Sequence, residues 1–201
     1  MEESMGQERN GDTRERLLDA VLRVAAARGL DKVTWRSVAA EAGYSHSLVQ
    51  FYFGTGDEMI TQALYRSAEI DVEQSALASD TLDGFLSDLS GSAVSEAALG
   101  LLQYEYLLRA VRGTIPMERI AKMYDVYRDQ VAGTLARLHI DDDEEGSLAS
   151  VVLAAADGLI LQHVIYGSTE RTDLAVAKLR SLLADLVPAD AAVPQNGPDP
   201  S

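Results

Sequence analysis

Apolar residues recur along this chain at helical spacing. Between residues 13 and 28, Leu18, Val21, Leu22 and Ala25 fall on one face, and Gly29 stands where a helix C-terminal cap belongs. Thr34 is a good N-cap for a short helix to about Ala42, Gly43 punctuates, and Ser45 can cap a third helix running to about Tyr52. Phe53-Gly54-Thr55-Gly56 breaks that helix ahead of a longer one over 57–78. Further helices are predicted at 81–91, 94–112, 117–138, 144–166 and 171–187, with Gly113, Pro116, Gly146 and Gly167 near their ends. No alternating stretch of strand length is found, and proline is absent from residues 1–115. An all-α protein of helices joined by short turns is the expectation.

Two segments stand apart from this pattern. The run Asp141-Asp142-Asp143-Glu144-Glu145 sits just ahead of a predicted helix, where negative charge suits the helix N-terminus. Read as a metal site, it lacks the glycine and alternating spacing of a calcium loop, so capping is the preferred reading. The last fourteen residues hold four of the five prolines and little to bury, which predicts a disordered tail over 188–201.

Composition narrows the chemistry. The 201 residues, 47% of them hydrophobic, suffice for a sizeable core. Cysteine is absent, which excludes disulfides, thiolate metal sites and cysteine nucleophiles. Only His46, His139 and His163 are available for imidazole chemistry, and no metal site is expected. The polar N-terminus does not read as a signal peptide. The apolar runs are read as falling short of the roughly 18 residues of a bilayer span, so a soluble, cytoplasmic protein without a membrane partner is expected. The net charge of −15 argues on average against a polyanionic partner, but the charge is unevenly placed. Residues 9–54 carry seven Lys/Arg against five acids, while 55–201 hold ten basic and 24 acidic residues. The first quarter can tolerate a polyanion; the remainder repels one.

The most informative stretch is 34–53, TWRSVAAEAGYSHSLVQFYF. Two short helices about a turn at Gly43 make a helix-turn-helix, with Ala39 small where the helices approach and Val38 and Val49 facing inward. The second helix then exposes Ser45, His46, Ser47 and Gln50, which suit base edges. Trp35, Phe51 and Phe53 read as packing residues.

Residues 13–60 resemble the N-terminal domain of the TetR family of transcriptional regulators. The resemblance is carried by ERLLDAVLRVAAARGLDKVTWRSVAAEAG, then YSHSLVQFYF, then GTGDEMI opening the fourth helix. It covers about a quarter of the chain at motif level. It implies that Ser45 to Phe51 form a recognition helix in the major groove, and that Thr34, Arg36 and Tyr52 anchor phosphate. His46, Ser47 and Gln50 are the candidates for base edges. Two positions depart from the family pattern: Gln50 stands where Tyr is frequent, and Gly56 where a Lys commonly opens the fourth helix. Losing that Lys shifts the load to helix-start N–H groups and to an arm bearing Arg9 and Arg14.

The segment 148–166 is apolar nearly all round and must be buried. A twofold-related copy is one way to bury it, with Ala154, Ala155, Ala156 and Gly158 allowing close approach, and Leu179, Leu182, Leu183 and Leu186 striping the next helix. The resemblance implies the same homodimer, built as a four-helix bundle, with recognition helices about 34–36 Å apart on a palindromic DNA operator. Tyr104, Tyr106, Arg109, Tyr124, Tyr127, Asp157, Gln162 and His163 interrupt otherwise apolar helices and are candidates to line a small-molecule pocket; Tyr104, Arg109, Tyr124, Tyr127, Asp157 and His163 are singled out for ligand binding. The domain plan is a flexible N-terminal arm (1–12), a helix-turn-helix DNA-binding domain (13–56), a helical ligand-binding and dimerisation domain (57–187) and the tail.

The function expected is a ligand-responsive DNA-binding regulator, a repressor released by a small-molecule effector and needing no cofactor. An enzyme is disfavoured: no nucleophile elbow, phosphate-binding loop or zinc-protease motif occurs. The alternative is a helical protein-interaction module without DNA binding.

Overall fold

The computed structural model describes residues 2–188 apart from 75, 88 and 92–96. The described residues form helices and turns, with no strand among them. Helices α1 (Glu2–Arg28), α2 (Trp35–Ala42), α3 (His46–Phe53), α4 (Gly56–Gln74), α5 (Ala97–Val111), α6 (Met117–Arg137), α7 (Ser147–Tyr166) and α8 (Thr169–Ala184) follow in order. Single 3-10 turns stand at Leu30–Lys32 and Ala76–Ala78. The side chain of Arg9, the expected helix start at 94 and the expected tail from Ala189 lie outside what is described.

The described residues divide into two compact units, one from 2–71 with 94–126, the other from 72–93 with 127–188. In the first, α1 packs on α2 and α5, and α2 packs on α3. Leu18, Val21 and Ala25 are buried as their spacing predicts, joined by Leu17, Ala20 and Val24 on the same side of α1. Helix α1 extends back to Glu2, well ahead of the expected start at Thr13. No proline interrupts that stretch.

In the second unit α7 packs on α8. His163 Nδ1 and Thr172 Oγ1 meet at 2.9 Å with both residues buried. Arg180 Nε donates to the Phe85 carbonyl at 2.6 Å and Ser90 Oγ to Asp173 Oδ1 at 2.9 Å, tying 85–90 to α8. The helix expected over 81–91 is instead mostly turn, from Leu82 to Ser87. Side-chain hydroxyls there capture the backbone: Thr81 N donates to Ser79 Oγ and Gly84 N to Thr81 Oγ1, each at 3.1 Å. Leu86 is left-handed at φ 55°, which no continuous α-helix accommodates.

The acidic run caps α7 from outside the helix. Asp142 accepts from Leu148 N at 2.8 Å and Ala149 N at 2.9 Å, one bond per carboxylate oxygen. Asp143 accepts from Ser147 N at 2.7 Å and from the Ser147 hydroxyl. These bonds from Ser147 hold the Asp143 carboxyl below the ordinary carboxylate range. Helix α7 therefore starts at Ser147, later than the expected 144.

Burial of α7 departs from expectation. One face, Ala149, Val152, Leu153, Ala156 and His163, is buried, but Val151 is 63% and Ile165 72% exposed. Leu161, Val164, Tyr166, then Leu174 and Leu182 on α8 and Leu186 just beyond it are exposed too. Helix α7 is also long and apolar enough to cross a membrane by length and composition, contrary to expectation. Asp157, Gln162 and His163 lie along it, and its packed face rests on α8.

One turn glycine and the two capping aspartates set the stability of these helix ends. Gly43 is left-handed at φ 73° with open space where a Cβ would go, so Gly43→Ala costs about 1–2 kcal/mol through backbone strain alone, and Gly43→Asn costs less. Urea unfolding of the two variants checks the order. Asp142→Ala orphans two N–H groups of α7 and costs about 0.5–2 kcal/mol. The contribution of Asp143 has a pH signature: it is complete above the ordinary carboxylate pKa and disappears as pH falls through the lowered folded value. Wild type should therefore lose its advantage over Asp143→Asn in acid, as read by melting temperature against pH.

Candidate nucleic-acid interface

Helix α2 opens with a capping box. Thr34 Oγ1 accepts from Ser37 N at 3.1 Å while Ser37 Oγ accepts from Thr34 N at 2.9 Å. Ser37 Oγ also reaches the Lys32 carbonyl at 2.8 Å, fixing the preceding 3-10 turn. Gly43 closes α2 in the left-handed conformation, and Tyr44 N donates to the Ala39 carbonyl at 3.0 Å. Ser45 then caps α3, its Oγ accepting from Leu48 N at 3.2 Å. Val38, Ala39, Val49 and Phe53 are buried, as the pattern predicts for the two valines and Phe53. Trp35, read as core, is only half-buried.

With Val49 and Phe53 turned inward, α3 presents His46, Ser47, Gln50 and Phe51 outward. Phe51 is 80% exposed, which overturns its reading as a packing residue. The reason is angular: Val49 and Phe53 are four residues apart on one face, and Phe51 lies about 200° round the helix from either. Its ring meets Tyr52 edge-on, centroids 5.8 Å apart at 84°. Arg36 is exposed on α2 and Tyr52 half-buried. Thr34 and Ser45 are exposed, but their hydroxyls already serve the two caps. Arg14, exposed on α1, donates to Gln62 Oε1 at 2.7 Å.

That last bond opens a polar chain that sequence reasoning missed. Gln62 Nε2 donates to Glu58 Oε1 at 2.8 Å, and Arg119 Nη2 pairs with Glu58 Oε2 at 3.3 Å. Arg119 Nη1 donates to Thr61 Oγ1 at 2.9 Å. Thr61 gives its own proton to the Asp57 carbonyl at 2.7 Å, so Tyr106 OH is the donor in its short contact with Thr61. Arg14 on α1 is thereby linked through α4 to Tyr106 on α5 and Arg119 on α6. Separately, Arg109 on α5 pairs with Asp31 at 2.5 Å and Glu105 at 3.2 Å. Exposed pairs of this kind add little stability, so their effect is on register between elements. On α1, Arg16 is held protonated more firmly than usual by Asp12 and by the Tyr44 hydroxyl.

The six ligand candidates do not gather in one unit. Tyr104, Arg109 and Tyr124 belong to the first; Tyr127, Asp157 and His163 belong to the second. Tyr127 and His163 are buried, and His163 is bonded to Thr172. A groove of about 390 Å³ lies along α7 and α8, lined by Ala154, Ala155, Gly158, Leu159, Gln162, Ala175, Lys178, Leu179 and Leu182. None of the six lines it. No group of three or more metal-ligating side chains occurs among the described residues.

Comparison with known proteins places this architecture. A family model for the "Tetracyclin repressor-like, C-terminal domain" matches residues 73–189. A second, "Bacterial regulatory proteins, tetR family", matches 17–63. The uncharacterized HTH-type transcriptional regulator YfiR of Bacillus subtilis is 27% identical over 176 residues, covering 79% of this chain and 82% of YfiR. Among solved structures, a TetR-family member from Streptomyces coelicolor A3 superposes with a TM-score of 0.63 at 24% identity, covering 88% of this chain and 99% of that one. A regulator from a Rhodococcus species gives 0.65 at 18% identity, over 89% and 100%. The multidrug binding protein EbrR, complexed with proflavin, gives 0.60 at 22% identity, over 87% and 99%. With its helix-turn-helix and its C-terminal helices both matched, this chain belongs to the TetR family of transcriptional regulators.

Proposed function

We propose that the protein is a ligand-responsive repressor that binds a palindromic operator as a homodimer in the cytoplasm and is released by a small-molecule effector. The observation that carries the DNA-binding part is the outward face of α3, where His46, Ser47, Gln50 and Phe51 stand together in solvent. Arg36 and Arg14 are exposed on the flanking helices for phosphate, in the cationic quarter of the chain. The Thr34 hydroxyl works mainly as a cap, so its share of phosphate binding passes to N–H groups at the starts of α2 and α3, and the Ser45 hydroxyl is likewise engaged in capping α3. With Gly56 rather than Lys opening α4 and Asp57 and Glu58 following it, Arg119 acts as a neutralising partner to Glu58.

The dimer reading rests on α7 and α8. Their exposed Val151, Leu161, Val164, Ile165, Leu174 and Leu182 are large apolar side chains in want of a cover, and the groove lined by Ala154, Ala155 and Gly158 fits a helix of a second copy. That groove therefore receives protein, and the effector binds away from it. A small-molecule effector is supported by EbrR, whose complexes include proflavin, imidazole and ethidium. Effector binding is coupled to DNA through α4, whose Glu58, Thr61 and Gln62 link Arg14 to α5 and α6. A coupling of about 1–3 kcal/mol changes operator affinity about 5–150-fold.

Two measurements test this. Titration of operator and random duplexes should give specific binding that His46→Glu with Ser47→Glu weakens by roughly tenfold or more, without loss of helicity. Both substitutions lie in the first turn of α3, where negative charge suits the helix. Unchanged binding favours a protein-interaction module instead. Sedimentation equilibrium should return two chains for wild type and one for Val151→Glu with Ile165→Glu; a wild-type monomer contradicts the dimer.

A further inference from the structure

We infer that Phe51 reads the C5-methyl group of a thymine, which makes it a specificity-determining residue of the recognition helix. The inference rests on the DNA-binding reading above and deepens it. Helix α3, HSLVQFYF, carries no Asp, Glu, Lys or Arg; its one ionisable side chain besides Tyr52 is the imidazole of His46. The commonest specific contact, a bidentate Arg or Lys on guanine, is therefore unavailable from this helix. What it offers the groove is two parallel rows, His46 with Gln50 and Ser47 with Phe51, each four residues apart. Gln50 matches the donor and acceptor pair of adenine. Phe51 has no hydrogen-bonding atom, and in the major groove the apolar feature of a base pair is the thymine methyl.

The local packing keeps Phe51 available for this. Val49 and Phe53 fill the buried positions, so the Phe51 side chain stays 80% exposed. Tyr52 lies edge-on to its ring at 5.8 Å, which narrows the orientations open to it. A solvent-exposed phenylalanine beside the polar row of His46 and Gln50 finds one apolar group on the base edges of the major groove, and that group is absent from cytosine, guanine and adenine.

The test uses full-length protein and an operator enriched from a random duplex pool. Each thymine is then replaced singly by deoxyuridine, which removes the methyl and leaves the pairing edge intact, and affinity is read by fluorescence anisotropy. At one position per half-site, wild type should lose about fourfold, the value of one buried methyl-sized group. Phe51→Ala should bind the thymine operator more weakly and be indifferent to uridine at that same position; its exposed site leaves the fold intact, which circular dichroism verifies. Wild type insensitive to uridine at every position overturns the inference, as does a Phe51→Ala variant that keeps the sensitivity. A pool that yields no enriched sequence overturns the DNA-binding reading itself, a distinguishable failure.

Discussion

The outward face of α3 depends on one packing constraint, the burial of Val38, Ala39, Val49 and Phe53 in the small core that α1, α2 and α3 share. Once Val49 and Phe53 are committed inward, helical geometry leaves His46, Ser47, Gln50 and Phe51 outside. The turn that allows it is held by a single left-handed residue, Gly43, and by caps at Thr34 and Ser45. Hydrophobic burial thus sets which side chains are presented, and the caps set where each helix begins. Function at this face is a by-product of what the core refuses.

The electrostatics follow the same division of labour. An anionic protein approaches a polyanion with the one segment whose charge balance permits it. Acids at the start of α4 work against that approach, and Arg119 offsets one of them at Glu58. Because Glu58 also bonds Gln62, which bonds Arg14, the offset is connected to a candidate phosphate contact. Any shift of α6 that breaks the pair changes charge and geometry at the start of α4 together.

Much of this was legible in the residues alone. The inward stripe of α1, the αL glycine at 43 and the caps at Thr34 and Ser45 are local signals that neighbouring residues decide. Phe51 was misread because a run of aromatics looks uniformly apolar until the 100° step per residue is applied from Val49. The segment 81–91 was misread because Ser79 and Thr81 compete for backbone N–H groups that a helix would use. The link from Arg14 to Arg119 left no sequence signal, since every bond in it but Gln62 to Glu58 joins residues 45 to 61 apart. Helix α7 shows a different limit. Hydrophobicity on all sides demands burial, and periodicity does not say whether the covering surface belongs to the same chain.

The central claim is that paired copies of α3 grip one face of a duplex. Hydroxyl-radical footprinting on an enriched operator measures this directly, because it maps backbone protection strand by strand. The account predicts two protected patches related by a dyad, their centres about 10 base pairs apart or a whole number of turns beyond. A single unpaired patch, or protection without a dyad, would contradict it.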